Sequence, residues 1–207
     1  MKKIMFNDRY GLTRSVLNRE KTQTRRIISQ KLLNKIIRFG EDYYNATFDA
    51  LNENDLFEQY FFIERIEKTP GVIGEIIAVA QAYADVGFGD TTPIIGIDEN
   101  DMPIIASDAG LYNKMFVRAD LMPHKIRITN VRVSRLHEIS DEDCIKEGIT
   151  HWTCRGKEYY GFFDYKKDKF VQHSTARDAF ADLIDRVSGK GTWESNPYVF
   201  VYDFELI

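Results

Sequence analysis

The alternation of apolar and polar side chains predicts strands at both ends and in the middle of the chain. The clearest strand covers residues 125–139, where Ile and Val alternate with Arg, Thr and Ser. The alternation slips by one residue at Asn130, which predicts a bulge there. Residues 76–83 are almost entirely apolar, which predicts a strand buried on both faces. Further strands are predicted at residues 3–7, at 94–97 and 104–105 as the arms of a hairpin, at 114–122 and at 197–207.

Helical spacing of apolar residues predicts a short amphipathic helix at residues 10–20 and a longer one at 174–189. A third helix covers residues 140–147 and begins at the capping residue Ser140. Residues 29–66 have apolar side chains at roughly helical spacing, which favours a helical or irregular insertion. Several strands, a few helices and no regular strand–helix alternation predict an α+β fold, a small mixed β-barrel with peripheral helices.

Composition limits the class of protein. The chain has 207 residues, 43% of them hydrophobic, which fits one domain with room for an insertion. No apolar run approaches the roughly 20 residues of a membrane-spanning helix, so we expect no membrane partner. The N-terminal apolar stretch covers only residues 4–6, too short for the core of a secretory signal. We therefore expect a cytoplasmic protein in which Cys144 and Cys154 are reduced thiols.

Charge is distributed unevenly along a chain whose net charge is −4. Residues 1–38 contain eleven Lys and Arg against two acidic residues, and residues 118–135 contain five against one. Residues 41–65 reverse the balance, with seven acidic residues against one Arg. Two basic segments around an acidic one are typical of a surface with one positive face, although a mixed, solvated surface would give the same counts.

The stretch REKTQTRRII near the N-terminus concentrates cations around two hydroxyls. Thr22 or Thr24 is a candidate nucleophile, and a hydroxyl needs a nearby base to act as one. Lys21 can be that base if burial or neighbouring cations lower its pKa. Arg25 and Arg26 would hold a phosphate or another anion. The alternative is the start of a strand with solvated cations.

The spacing of these residues raises a geometric condition. In a regular strand Lys21 and Thr24 point to opposite faces. The two side chains meet only if the chain turns between residues 20 and 23, where there is no glycine. Glu147 ends the helix predicted at 140–147, and a carboxylate there suits a general acid or base. Taken alone, an exposed surface glutamate is the simpler interpretation of Glu147.

Two further groups of residues are candidates for binding. Two cysteines and two histidines lack the second closely spaced ligand pair of a zinc site, so we expect no metal. Trp193, Asn196 and Tyr198 stand beside the last strand, where they would stack on or hydrogen-bond a base, or simply pack at the rim of a barrel. The four cysteines and histidines are Cys144, His151, Cys154 and His173.

The order of these segments resembles ASCH-domain proteins of the PUA-like superfamily. Residues 4–28 resemble the opening strand and helix of that family, and residues 21–26 match its K-T-x-T-x-R segment. GVIGEIIAVAQAY at 71–83 resembles the next barrel strand, and residues 122–149 resemble a segment of phage and prophage members. The W-x-x-N-P turn at 193–197 is similar to the family's ending.

The resemblance implies one PUA-like domain over residues 1–207, with insertions at about 30–68 and 85–113. It also implies a basic cleft that binds RNA or a nucleotide, without a cofactor. One departure is that Asn18 or Arg19 replaces the glycine usual just before the lysine. The ligand-binding residues predicted by residue chemistry and resemblance together are Arg19, Thr22, Arg25, Arg26, Trp193, Asn196 and Tyr198.

Two alternatives to RNA or nucleotide binding remain open. Some small members of the family are similar to amidohydrolases that deacetylate N4-acetylcytidine with a Lys, a Thr and a Glu. Carried over by motif, these catalytic residues are Lys21, Thr24 and Glu147, the last from its EGI context. The other alternative is a phage accessory protein that binds another protein, which the acidic segment at 41–65 favours.

Overall fold

A computed structural model of the chain describes residues 1–44, 60, 71–88 and 91–207. Ten strands in these ranges form three separate sheets. They are β1 (Lys3–Ile4), β2 (Gln23–Ile27), β3 (Ile76–Val79), β4 (Ile94–Ile97), β5 (Pro103–Ile105), β6 (Lys125–Arg135), β7 (Thr150–Cys154), β8 (Lys157–Asp164), β9 (Lys169–His173) and β10 (Tyr198–Leu206).

The helices confirm the predicted α+β class. Within the described ranges, none is long and apolar enough to cross a membrane. Of the segment at 29–66, the part described is a helix over residues 30–44 and Tyr60; the rest of that prediction lies outside the described residues. The helices are α1 (Leu12–Leu17), α2 (Gln30–Tyr44), α3 (Asp141–Lys146), α4 (Ala176–Ser188) and α5 (Thr192–Ser195).

The main sheet has five strands in the order β1-β3-β6-β10-β2. β1 pairs with β3 in parallel, and the other neighbours are antiparallel. β10 is an interior strand between β6 and β2, and its first five residues, 198–202, are all buried, because both faces of the sheet are covered there. The bulge predicted at Asn130 is confirmed: Asp203 pairs with Asn130 and Phe204 with Ile128, so Thr129 is the extra residue.

β1 and β2 are the two edges of this sheet, and in the described ranges no strand pairing joins them. The edges nevertheless approach each other. Arg26 on β2 donates a hydrogen bond from Nη2 to the backbone oxygen of Met5, which follows β1, at 2.8 Å. Among the described residues the two edges are thus joined by a side chain and not by a strand pairing.

Two of the predicted strands are corrected. The segment at 114–122 is not a strand but two 3-10 turns, Lys114–Phe116 and Ala119–Leu121. The side chain of Asn113 accepts a hydrogen bond from the amide of Met115, so a local side-chain contact replaces a strand partner. The strand predicted at 76–83 ends at Val79, because the chain then turns so that Tyr83 packs in a second, smaller core.

The predicted hairpin of β4 and β5 is confirmed, whereas the three-stranded sheet β7-β8-β9 was not predicted. A two-residue turn at Arg155 and Gly156, both with positive φ, joins β7 to β8. Such a turn between aromatic-rich runs is a hairpin signal that the sequence does contain. The end of β8 is fixed to the domain by Asp164, whose carboxylate is fully buried and accepts hydrogen bonds from Arg9 at 2.9 and 2.8 Å.

We predict that Asp164→Asn lowers the thermal stability of the protein, because Arg9 loses its charged partner. The hydrogen bond from Arg9 lowers the pKa of Asp164 below its ordinary value of 3.8. At a pH between the lower, folded pKa and 3.8, the carboxylate is therefore ionised in the folded chain and protonated in the unfolded chain. Its contribution is therefore complete above that value and is lost as the pH falls through the lower, folded pKa. The difference between the melting temperatures of wild type and variant should stay constant from neutral pH down to about pH 4 and should shrink only as the pH falls further.

Asp168→Asn is the matched control, since Asp168 is an exposed carboxylate in the same turn. Its φ of 48° is one that asparagine tolerates well. An equal loss of stability in both variants, or a loss at Asp164 that does not change with pH, would contradict the assignment.

Candidate active site

A cavity of about 670 Å³ opens beside the edge strand β2. One wall is the chain after β1, residues 5–9, and another is the C-terminal half of α4. Lys21, Thr24 and Glu147 all line it. The cavity therefore lies where the two edges of the open sheet approach each other, and it brings together the three residues predicted as catalytic.

The chain reaches the cavity through a turn without glycine. Arg19 takes a left-handed conformation with φ of 62°, and the amides of Glu20 and Lys21 both donate to the backbone oxygen of Ser15. Thr22 then donates its amide to the backbone oxygen of the last residue of α3, at 2.9 Å. This turn lies just before and at the start of the stretch where the sequence requires one. It places Lys21 outside the regular alternation of β2, so that Lys21 and Thr24 line the same cavity.

Lys21 is 2% exposed and its ammonium has three acceptors. Nζ donates to the backbone oxygen of Gln23 at 2.7 Å, to that of Glu147 at 2.7 Å and to Glu147 Oε2 at 2.6 Å. Burial lowers the pKa of Lys21, although the negative charge of Glu147 and its hydrogen bond oppose that shift. The ammonium is thus fully hydrogen-bonded, although its burial away from water disfavours the positive charge.

Glu147 is the residue that caps the C-terminus of α3, and the chain turns sharply after it. Gly148 has φ of 102°, and a Cβ there would lie 3.2 Å from Leu12 and 3.6 Å from the side chain of Lys21. Glycine at 148 therefore allows both the turn and the close approach of Lys21. The other carboxylate oxygen of Glu147, Oε1, accepts a hydrogen bond from Arg25 Nη1 at 3.2 Å.

A ring of polar side chains supports this ion pair from behind. Arg25 Nη2 donates to Asp143 at 2.9 Å, and Arg132 bridges Asp143 and Asp203 at 2.7 and 3.0 Å. Gln23 accepts a hydrogen bond from Arg25 and donates to Asp203 at 2.6 Å. Burial alone would raise the pKa of Asp143, but the hydrogen bond and charge of Arg25 and the charge of Arg132 lower it. The carboxylate therefore stays ionised and holds both guanidinium groups.

Thr24 is buried and lies opposite Tyr202 in the pairing of β2 with β10. In the described part of the chain its hydroxyl has no hydrogen-bond partner in the protein. The neighbouring hydroxyl, Thr22, lies outside the residues that line the cavity. Of the two threonines in the sequence motif, Thr24 is therefore the candidate nucleophile.

The cavity has one cation without a carboxylate partner. Of the five cations that line it, four contact a carboxylate. Arg26 is the exception among the described residues, since its guanidinium donates to the backbone oxygen of Met5. The cavity thus has a positive charge available for one anionic group. The four paired cations are Arg9, Lys21, Arg25 and Lys114.

Five of the predicted ligand-binding residues lie outside the cavity lining. Arg19 is exposed and donates to the backbone oxygen of Leu206 at 2.8 Å. Asn196 accepts a hydrogen bond from the amide of His137 at 2.8 Å, and Trp193 stacks obliquely on the His137 ring. Tyr198 is buried beneath the guanidinium of Arg135, 3.7 Å from its ring centre. The fifth residue outside the lining is Thr22, which is held by backbone hydrogen bonds.

The apolar wall of the cavity was not predicted from the sequence. It comes from α4, where Phe180, Leu183 and Ile184 are buried and Val187 is half-exposed at the end of the stripe. The helical spacing indicates a core-facing stripe, but it does not indicate that the stripe continues past the core into a cavity. The exposure of Val187 is visible only in the folded chain.

The residues considered for zinc do not converge. His151 contacts Glu158 on the surface of β7 and β8, and His173 contacts Asp182. Burial raises the pKa of the Cys144 thiol to about 12, which disfavours a reactive thiolate. Across residues 1–44, 60, 71–88 and 91–207, no three His, Cys, Asp or Glu side chains form a group that could hold a metal ion.

Comparison of the chain with family models, curated proteins and solved structures finds no match. Function is therefore inferred from the geometry of the cavity itself. The cavity holds a buried Lys21–Glu147 ion pair, a threonine in its lining, one cation that contacts no carboxylate among the described residues, and an apolar wall.

We predict that Lys21→Met and Glu147→Gln each destabilise the fold by about 3–5 kcal/mol, because each leaves a buried charge without its partner. The double variant should lose clearly less than the two single losses added together. Urea unfolding of the four proteins measures this coupling.

Lys146→Met is the control, because the Lys146 side chain is next to Glu147 in the sequence but half-exposed. Its effect should stay within about 0.5 kcal/mol. Strictly additive losses at Lys21 and Glu147 would mean that the two charges do not depend on each other.

Proposed function

We propose that the protein is a hydrolase that cleaves an amide bond in a small nucleoside-like substrate such as an N4-acylated cytidine. The observation that carries the proposal is the buried 2.6 Å contact between Lys21 and Glu147 in a cavity that Thr24 also lines. A base, a proton carrier and a hydroxyl at one site are what acyl transfer through a threonine ester requires.

The first step is a proton transfer within the ion pair. With three acceptors around it, Lys21 rests as an ammonium, and an ammonium is not a base. Moving one proton from Nζ to Glu147 Oε2 turns two buried charges into two neutral groups. Burial favours this transfer, because it lowers the pKa of Lys21.

The neutral amine then activates Thr24. Lys21 takes the hydroxyl proton as Oγ1 attacks the carbonyl carbon, which forms a C–O bond and an oxyanion. When the intermediate collapses, the C–N bond breaks and the leaving amine takes a proton from Lys21. Water then hydrolyses the threonine ester and releases the carboxylic acid. Arg26, which contacts no carboxylate within the described residues, would stabilise the negative charge that develops on the substrate.

The resemblance to ASCH-domain proteins supports the same proposal. It would make the open sheet β1-β3-β6-β10-β2 the equivalent of a PUA-like barrel, with Arg26 and Met5 at the opening between its edges. Residues about 30–68 and 85–113 would then be insertions of this chain.

We predict that the purified protein hydrolyses N4-acetylcytidine and that Thr24→Val lowers kcat/KM at least about a hundredfold. The variant keeps the shape of the side chain but removes the hydroxyl. Release of cytidine, followed by chromatography, measures the rate. Lys21→Ala should lose activity equally, because Thr24 then has no base.

Thr22→Val is the matched control, since this hydroxyl lies outside the cavity lining, and it should keep most of the activity. In wild type, kcat/KM should fall as the pH is lowered, because a second proton on the ion pair would leave Glu147 unable to accept the proton that Lys21 must lose before it acts as base. No turnover in wild type, or equal rates for the two threonine variants, would sink the proposed mechanism.

Binding of a nucleotide or of RNA without hydrolysis is a second candidate function. It is favoured by Arg26, the cation of the cavity that lacks a carboxylate partner in the described residues. A cleft with a single positive charge to spare suits one phosphate more than a long run of backbone phosphates. The acidic segment at 41–65, which favoured the protein-binding alternative, lies mostly outside the described residues.

We predict that, if this second function holds, cytidine 5′-monophosphate binds more tightly than cytidine, and that Arg26→Ala removes the difference. A charge-assisted contact to phosphate supports a change of about tenfold in Kd. Calorimetric titration at two salt concentrations measures it. Arg19→Ala is the control, because Arg19 is exposed and outside the lining. Equal affinities of wild type for both ligands would exclude a phosphate site at Arg26.

A further inference from the structure

The hairpin of β4 and β5 is a two-stranded sheet to which no further strand is added in the described residues. A lone hairpin is marginally stable in water. This one is held at its base, where Ala106 is buried in the second core and Ala106 donates its amide to the backbone oxygen of Pro93. Tyr83, fully buried in the same core, accepts a hydrogen bond from the amide of Arg118. The hairpin therefore projects from a fixed platform.

A bulge gives the hairpin one exposed apolar face. Ile94 pairs with Ile105 and Ile97 with Pro103, with Ile95 as the extra residue of β4. Because of that extra residue, Ile94 and Ile97 lie on the same face as Ile105, although they are three positions apart. Their exposed fractions are 64%, 68% and 55%. Ile95 instead packs against the second core on the other side.

One edge of the hairpin is open to a further strand. The amide of Asp98 bonds to the backbone oxygen of Met102, so the next pair, Ile97 with Pro103, is a non-hydrogen-bonded one. The backbone N–H and C=O of Ile97 therefore point away from β5. By the same alternation, the backbone N–H and C=O of Ile94 also point away from β5. On the other edge, Pro103 has no N–H to offer, so β4 is the strand that can accept a partner.

All the charged residues of the hairpin segment are acidic. Residues 91–113 contain four acidic residues and no Lys or Arg. A nucleic acid or an anionic lipid surface would be repelled by these carboxylates, and a second copy of the hairpin would bring the same charges against them. A positively charged partner would be attracted. The acidic residues are Asp98, Glu99, Asp101 and Asp108.

We propose that the hairpin is a docking site for an extended segment of a partner protein in which lysine or arginine alternates with apolar residues. The segment adds as a strand to the open edge of β4 and lays its apolar side chains on Ile94, Ile97 and Ile105. Its cations face the acidic residues of the turn. This interaction is separate from the cavity and does not depend on the function proposed for it.

The experiment uses the full chain and two labelled synthetic peptides of about six residues, the usual length of a strand. One alternates valine with lysine, and the other alternates valine with glutamate. Fluorescence anisotropy should detect binding of the lysine peptide alone, weakened by added salt. Amide hydrogen exchange by NMR should show that the lysine peptide slows exchange of the Ile94 and Ile97 amides. The exchange rate of the Ile105 amide should not change.

Three variants locate the contact. Ile97→Ser should weaken binding of the lysine peptide at least about tenfold, since it removes a central apolar side chain. Glu99→Lys should weaken it by a smaller factor that disappears at high salt. Ile73→Ser is the matched control, because Ile73 is equally exposed but stands in the turn before β3, and it should bind as wild type does.

Four results would overturn the proposal. They are no binding of the lysine peptide, equal binding of the glutamate peptide, unchanged binding by Ile97→Ser, and protection of Ile105 rather than of Ile94 and Ile97. Sedimentation of wild type as a dimer that Ile97→Ser dissociates would instead assign the face to a second copy of this chain.

Discussion

The buried ion pair between Lys21 and Glu147 is the constraint on which the site depends. Removing two charges from water costs several kcal/mol for each ion, and their mutual attraction offsets that cost only when the remaining hydrogen bonds are also made. Here they are made: two backbone oxygens complete the ammonium, and Arg25 contacts the second carboxylate oxygen. The pair therefore requires the turn before β2 and the end of α3 to be in fixed positions.

The edge position of β2 explains how one cavity combines residues from opposite faces of the strand. Thr24 and Arg26 point to one face of β2 and Arg25 to the other, yet all three line the cavity. This arrangement is available only at an edge strand, where a cavity can extend around the backbone to both faces. Because Lys21 stands before the strand and is turned by Arg19, its ammonium reaches the same space. The open edge of the sheet is thus a condition for the site.

Much of this arrangement could be predicted from the sequence, because it depends on local patterns. The β6 strand with its bulge at Asn130, the β4–β5 hairpin and α4 follow from periodicity and turn residues. The sequence motif predicted that Lys21, Thr24 and Glu147 share one site, provided that the chain turns near the start of β2. The turn at Arg19 leads Lys21 into the cavity that Thr24 and Glu147 also line.

What the sequence could not predict depends on contacts between distant segments. The ring of Gln23, Asp143, Arg132 and Asp203 joins four elements, and each of these residues alone is typical of a solvated surface. The segment at 114–122 has a strand-like composition, but Asn113 and the platform around Tyr83 offer its backbone other partners. Trp193 was expected at a ligand, yet its ring packs on His137 and Phe180.

The two surfaces described here differ in charge, and this difference decides which ligand each can accept. In the part of the chain that the structure describes, the cavity has a cation that contacts no carboxylate, whereas all the charged residues of the segment 91–113 are acidic. A phosphate-bearing ligand is attracted to the first and repelled by the second, and a basic peptide shows the opposite preference. Because each charge disfavours the ligand of the other surface, a substrate in the cavity and a partner on the hairpin do not compete. The net charge of −4 does not show this difference, because it adds together the opposite charges of two separate surfaces.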